Sequence, residues 1–418
     1  MVAASGDRPK TPVASPDTIA TLAELSRRSG IRRVHMLAWR DLDDVEAGGS
    51  EVHAHNIAAI WAQAGIEVTH RTSYAAGHPQ RATRSGYRVI RKAGRYMVFP
   101  RTVAAEIAGR MGPRDGLIEI WNGVPFMSPL WVRGPHAVWL HHVHGPMWQM
   151  SLPPGLAAAG RFVEEKVAPR FYRRSPIVTL SNSSRDELVS EMGFDADHLT
   201  VVPPGVDQSY SPAGTKTEAP TVLAVGRLVP VKNFARLIRV MAMVRNSVPD
   251  AVLNIVGEGY ERDDLETLID DLDASQYIHL RGRLSDAELL ELMRSSWCLA
   301  STSIREGWGM TLTEAAACGT PCVATRIAGH LDATVDGEAG LLGTTDAELV
   351  DHLVAVLTDA ELRERLGRGA IKRAGELTWE AAAIATFEVL AATATPRGPH
   401  DLVDTSASTA RPNPEDLP

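Results

Sequence analysis

The sequence predicts an α/β chain of two doubly wound parallel-sheet domains facing across a cleft. Three observations carry this. Short apolar runs alternate with helical segments, the pattern of a parallel sheet wrapped by crossover helices. The alternation breaks over residues 201–220, "VVPPGVDQSYSPAGTKTEAP", which are rich in Pro, Gly and Thr and have no clear periodicity, and then resumes. The 418 residues, 44% hydrophobic and 22% charged, suffice for two cores at roughly 150 residues per domain.

In chain order, residues 1–28 and 396–418 are rich in Pro, Ser, Ala and charge and read as disordered tails. A first domain over 29–205 carries strands at "RVHMLAW", "IEVTHRT", "LIEIWNG", "HAVWLHH" and "PIVTLSN". A second over 206–376 carries them at "TVLAVGR", "AVLNIVG", "IHLRGR", "CLAST" and "PCVAT". Residues 377–395 form a last helix. Two such domains leave a cleft, and ligands bind beyond the carboxyl ends of such strands.

Composition narrows the class. The net charge of −8 gives no reason to expect a nucleic-acid partner. Cys298, Cys318 and Cys322 lie among apolar or small neighbours without C-x-x-C spacing, which argues for a reducing compartment and against a disulfide framework or a zinc site. No run of about 18 apolar residues occurs and the first residues lack an apolar signal core. A cytoplasmic protein is expected, with the inner face of a membrane as its one alternative station. From Arg71 to Arg114 there are ten Lys and Arg against one acid, Glu106. Within this stretch, residues 80–101 mix cations with Tyr87, Val89, Ile90, Tyr96, Met97, Val98 and Phe99. Such a segment suits an anionic membrane surface; the other reading is a solvated helix packed on the core.

Two loops carry the chemistry. "AVGRLVPVKN" follows a strand and places Arg227 and Lys232 five residues apart, where Arg can grip a diphosphate bidentately and Lys acts as a point charge; two solvated charges are the plain alternative. In "CLASTSIREGWGMTLTEAAACG" a strand, a loop and a helix ending at Gly319 follow one another. The helix start offers free N–H groups and a positive dipole end to an anion. Gly307 and Gly309 let backbone approach a ligand, and Glu306 suits sugar hydroxyls. "TLTE" also spells a capping box, with Thr311 as N-cap and Glu314 as its partner.

"EGWGMTLTEAAACGTPCVAT", with glutamates separated by seven residues, resembles the signature of retaining glycosyltransferases of family 4, which have the GT-B fold. Over most of residues 30–392 further segments resemble the family in the family's order: "AGGSEVHAHNIA" its Gly-Gly loop, "TLSNSSRDEL" its Ser-Asn segment, "VVPPGVD" its crossing, "AVGRLVPVKN" its Arg/Lys loop and "LTWEAAA" its terminal helix. The resemblance implies two Rossmann-like domains, with the last helix returning to the first. It implies that Arg227 and Lys232 hold the diphosphate of a UDP- or GDP-sugar, that Glu306 contacts the donor sugar and that Glu314 binds ribose. It further implies donor contacts from Gly48, Gly49 and the backbone of Gly307, Trp308, Gly309, Met310, Thr311 and Leu312. Asn233 and Pro204 stand where the family often has Gly and Asn.

Of the histidines in "WLHHVHGPMW", the family's strand-end histidine aligns best with His141, with His142 as rival; H-H-x-H is not a strong zinc spacing. His53, His142, His144 and Asp43 are acceptor-side candidates, and Asp41-x-Asp43 lies in the wrong context for a metal-binding D-x-D. Nucleotide-base readout is assigned to the segment around Arg283, mainly through backbone. "VGEGYERDDLE" lacks the third glycine of a dinucleotide fingerprint, which counts against a dehydrogenase. The resulting expectation is retaining transfer of a hexose-type sugar to a glycan, lipid-linked or small-molecule hydroxyl, with no metal and no cofactor. A catalytically silent GT-B scaffold is the alternative class.

Overall fold

The structure, a computed structural model, describes residues 11–141, 143–145, 147–148 and 154–394. Two α/β domains are built on separate sheets. The first domain's strands are β1 (Arg33–Leu37), β2 (Glu67–Thr72), β3 (Arg81–Arg84), β4 (Tyr87–Arg91), β5 (Gly116–Trp121), β6 (His136–Leu140), β7 (Ile177–Thr179) and β8 (Leu199–Val201). They lie in the order β3-β4-β2-β1-β5-β6-β7-β8, parallel except for the β3–β4 hairpin. The second has β9 (Thr221–Val225), β10 (Val252–Val256), β11 (Ile278–Gly282), β12 (Cys298–Ser301), β13 (Cys322–Thr325) and β14 (Gly340–Gly343), in the parallel order β11-β10-β9-β12-β13-β14. All ten expected strands form; β3, β4, β8 and β14 are additional.

Each sheet reverses its winding once, after β1 in the first domain and after β9 in the second. Loops at such a reversal splay apart and open a crevice. The sequence places Gly48 and Gly49 after β1, Arg227 and Lys232 after β9, and Glu306 after β12, the strand beside β9.

The last helix, Trp379–Ala392, closes the first domain rather than the second. Trp379, Ala383, Phe387 and Leu390 pack in one core with Trp61, Trp139 and Ile118, and Trp61 Nε1 donates to the Ala383 carbonyl at 3.0 Å. Against it lies a helix over Pro16–Ser29, where a disordered tail was expected. Ser15 caps it, Pro16 occupies its first turn, Gly30 ends it at φ 73 and Leu22 is buried in the shared core. The start and stop signals were in the sequence, but the composition of the segment masked them. The tail over 396–418 lies outside the described residues.

The basic segment 80–101 folds largely inward. β3 and β4 form a hairpin whose turn residues Ser85 and Gly86 have φ 46 and 86, as a type I′ turn requires. Tyr87, Val89 and Ile90 are buried, leaving only Tyr96 and Met97 as large exposed apolar groups there. Arg81, Arg88 and Arg101 stay exposed, and the segment's last four residues open a helix, Val98–Ile107, that packs Phe99 on the core.

Candidate active site

Lys232 ends a short 3-10 turn, Pro230–Lys232, in the loop after β9. Its ammonium pairs with the Glu306 carboxylate, which also accepts from Ser303 Oγ at 2.8 Å. Burial alone would raise the Glu306 carboxyl. Lys232, His330 and these hydrogen bonds outweigh it and hold the group at about 2, so Glu306 is a fixed carboxylate. His330, which the sequence reading passed over, is fully buried; its Nδ1 is 2.9 Å from the Thr325 carbonyl oxygen. Asn233, the residue after Lys232, has φ 52, a left-handed conformation that glycine adopts freely and asparagine tolerates.

The helix after the Glu306 loop is Met310–Ala317, and its N-cap is Gly309 at φ 99. Thr311 therefore lies inside the helix, and the capping box expected of Thr311 and Glu314 does not form. The left-handed Gly309 starts the helix two residues earlier than the spelling suggested. Gly319 ends it in the left-handed conformation, φ 73, as expected. Trp308 and Leu312 turn into the domain core, while Met310 and Thr311 stay partly exposed beside the free backbone of this turn. Gly329 holds the turn from behind: a Cβ there would lie 2.7 Å from the Glu306 carbonyl oxygen, and its φ is 83. Glu314 is pushed up to about 7 by burial first, then by Asp207 and Asp286.

The first domain faces this turn with its Gly-Gly loop. Glu51 accepts from the Gly48 N–H at 2.8 Å and lies 3.4 Å from Arg40 Nε. Burial first, and then the charge of Arg40, lower the pKa of Arg227, while Glu51, Glu46 and Glu306 raise it. A Cβ on Gly49 would lie 3.0 Å from Met310 Sδ, so a larger residue there would have to displace the Met310 side chain.

His141 is buried, and its Nε2 lies 3.0 Å from Nδ1 of His53 on the Gly49–Gln63 helix. Burial and His141 keep His53 neutral by lowering its pKa well below the usual value. His142 lies outside the described residues. His144 turns to Glu164, which accepts from the N–H groups of His144 and Gly145 and from Trp148 Nε1, at 2.9, 3.1 and 2.8 Å. Glu164 is fully buried in a π-helical segment, Val163–Val167, a location no sequence spacing marked.

Asp43 is not presented to an acceptor. Arg84 and Arg91 reach it at 2.7 and 2.6 Å and reach Asp41 at 2.8 and 3.0 Å. Against the cost of burial they hold Asp41 at about 2. Two buried guanidiniums saturate these carboxylates, so the D-x-D spelling is structural. Arg283 is exposed just past β11.

Two contacts tie the donor-side loops to the first domain. Arg305, next to Glu306, donates to the Val143 carbonyl at 2.6 Å and pairs with Glu187 on the Asn182–Met192 helix. Asp332 accepts from the N–H groups of Asn182 and Ser183 at the start of that helix, at 2.8 and 3.1 Å.

Two family models match the chain in succession: Glycosyltransferase Family 4 over residues 47–210 and Glycosyl transferases group 1 over residues 208–373. The D-inositol 3-phosphate glycosyltransferase of Paenarthrobacter aurescens is 26% identical, over 82% of this chain and 92% of its own. A GDP-mannose-dependent alpha-(1-6)-phosphatidylinositol monomannoside mannosyltransferase of Mycolicibacterium smegmatis is 29% identical, over 68% and 77%. Among solved structures, sucrose-phosphate synthase from Thermosynechococcus elongatus superposes with TM-score 0.74 at 20% identity, covering 86% and 98%. HepE of Anabaena, in complex with UDP and glucose, superposes with TM-score 0.68 at 17%, covering 86% and 100%. At these identities the structural likeness speaks for the fold. Together with the two consecutive family matches and the paired Lys232 and Glu306 at the sheet reversal, it leads to one assignment: the chain belongs to the group 1 glycosyltransferases and has the GT-B fold.

Proposed function

We propose that the chain transfers a hexose-type sugar from a UDP- or GDP-sugar to a hydroxyl acceptor, with retention of configuration and without a metal. The Lys232–Glu306 pair beside a helix N-terminus carries this reading. As the glycosidic bond breaks, negative charge gathers on the leaving diphosphate. Lys232, Arg227 and the N–H groups at Met310–Thr311 are fixed in advance to meet it, which is the preorganised stabilisation that lowers such barriers. The acceptor hydroxyl attacks on the face the diphosphate leaves. The new C–O bond forms as the old one breaks, and the acceptor proton passes to the departing phosphate oxygen. Glu306, already paired and ionised, serves as a hydroxyl binder and not as a nucleophile. His141 lines the same reaction space from the first domain. The relatives named above act on inositol-based acceptors, so these head the acceptor panel.

The test is a panel of UDP- and GDP-sugars in EDTA, read by calorimetry and thermal shift and followed by transfer to D-inositol 3-phosphate. One nucleotide class should stabilise the wild type, and Arg227→Ala should weaken it by about tenfold or more, the loss of one charge-assisted contact. No shift with any nucleotide would move the reading to a silent scaffold.

A pH dependence follows from Glu314 if it accepts from ribose hydroxyls as a carboxylate. Between about pH 6 and pH 8 its ionised fraction rises about tenfold, so nucleotide-sugar affinity should rise by a similar factor. The stability of the unliganded protein should move oppositely. A carboxyl raised to about 7 stabilises the fold below its ordinary pKa, and this is lost as pH rises through 7. Glu314→Gln should flatten both profiles; a slope that survives the substitution assigns it to another group.

A further inference from the structure

One surface is built against the charge of the rest of the molecule. The segment from Pro154 to Tyr172 runs as a helix, a π-helical stretch and a second helix. Its inner side is anchored by Ala157, Glu164, Ala168 and Tyr172, and the Tyr172 hydroxyl donates to buried Glu119. Its exposed residues include Leu156, Phe162 and Phe171, which are 60%, 61% and 43% exposed. Of the chain's seven phenylalanines these two alone are exposed. Interleaved with them are Arg161, Lys166, Arg170, Arg173 and Arg174, all exposed. Among the described residues only Arg161 of these has a carboxylate partner, Glu165. The neighbouring Ser128–Leu130 turn adds Leu130, 58% exposed.

We propose that this face docks the enzyme on an anionic lipid bilayer. The net charge of the chain is −8, so a run of four unpaired cations has no role in general solubility. Protruding Phe and Leu among them match the composition of segments that lie in the interface, with apolar side chains in the acyl boundary and cations at the headgroups. A nucleic acid would use the cations but leave the leucines exposed. No helix among the described residues is long and apolar enough to cross a membrane, so contact of this kind would be peripheral. The face is coupled to the site through Glu164, which binds the 143–148 loop just past His141. Docking here sets the cleft beside the bilayer, where a lipid-borne acceptor would reach it. This inference stands on the surface itself and does not depend on the donor.

The experiment is co-sedimentation of the full chain with phosphatidylcholine vesicles, with and without phosphatidylglycerol. Binding should require the anionic lipid and weaken as salt rises. Phe162→Ser/Phe171→Ser and Arg170→Glu/Arg173→Glu/Arg174→Glu should each lower the partition coefficient by about tenfold or more, with unchanged melting temperature and unchanged nucleotide affinity. Equal binding to neutral and anionic vesicles, wild-type binding by either variant, or no binding at all overturns the proposal. So does a wild-type dimer that Phe162→Ser/Phe171→Ser dissolves, which would assign the face to a second copy of the chain.

Discussion

Replacing Lys232 by Ala should lower the turnover of sugar transfer by about 10²- to 10³-fold, the cost of one preorganised donor to a developing anion. It should also destabilise the fold, because Glu306 is left as a part-buried carboxylate without its partner, a loss of about 3–5 kcal/mol for buried pairs. The sign of the pH dependence separates these effects. In the wild type the Glu306 carboxyl sits at about 2, below its ordinary 4.5. The pair therefore stabilises the protein above that ordinary value, and the benefit is lost as pH falls toward 2. Without Lys232, burial dominates and the carboxyl moves up, so the deficit against wild type should be largest near neutrality and shrink on acidification. Denaturant titrations across pH measure it. Adding Glu306→Gln to Lys232→Ala removes the stranded charge and should restore much of the stability while transfer stays low. If the double variant regained transfer, Lys232 would be only a counter-ion to Glu306.

Arg305→Ala should cut turnover by about 10²-fold while nucleotide affinity stays within about twofold, because the expected damage is a small misplacement of reacting groups. Arg305 bonds no donor-binding residue. It joins the Glu306 loop to Val143, two residues beyond His141, and to Glu187. The Glu187 carboxyl is raised by burial first, which Arg305 only partly counters. Arg305→Lys keeps a charge near Glu187 but cannot make both contacts in one plane, so it should recover only part of the rate. Glu187→Gln should show the same split between turnover and affinity. A parallel loss of nucleotide affinity would make Arg305 a donor ligand instead.

What the sequence disclosed followed from how local each signal was. Ten strands could be read because an apolar run between turn residues is a short-range mark. β3 and β4 also carried one, a Ser-Gly turn between alternating residues, but their arginines suggested a surface; only the fold reveals that Asp41 and Asp43 absorb Arg84 and Arg91. Lys232 and Glu306 were chosen separately, yet their pairing spans 74 residues and no spacing announces it. Glu164, His330 and Arg305 were missed for the same reason. Each is an ordinary residue type in an ordinary segment, and its role is set by a distant partner.

The return of the Trp379–Ala392 helix to the first domain has a consequence for synthesis. A nascent chain exposes the first sheet early, but Trp379, Phe387 and Leu390, which complete its core, are made only after every strand of the second sheet. One core cluster of the second domain draws on residues 222–366 alone and can consolidate while the first domain still waits for its final layer. The order of maturation is thus inverted relative to the order of translation. A ribosome that stalls before residue 379 would release a chain whose second sheet is complete and whose first-domain core is open, a natural substrate for chaperones and proteases.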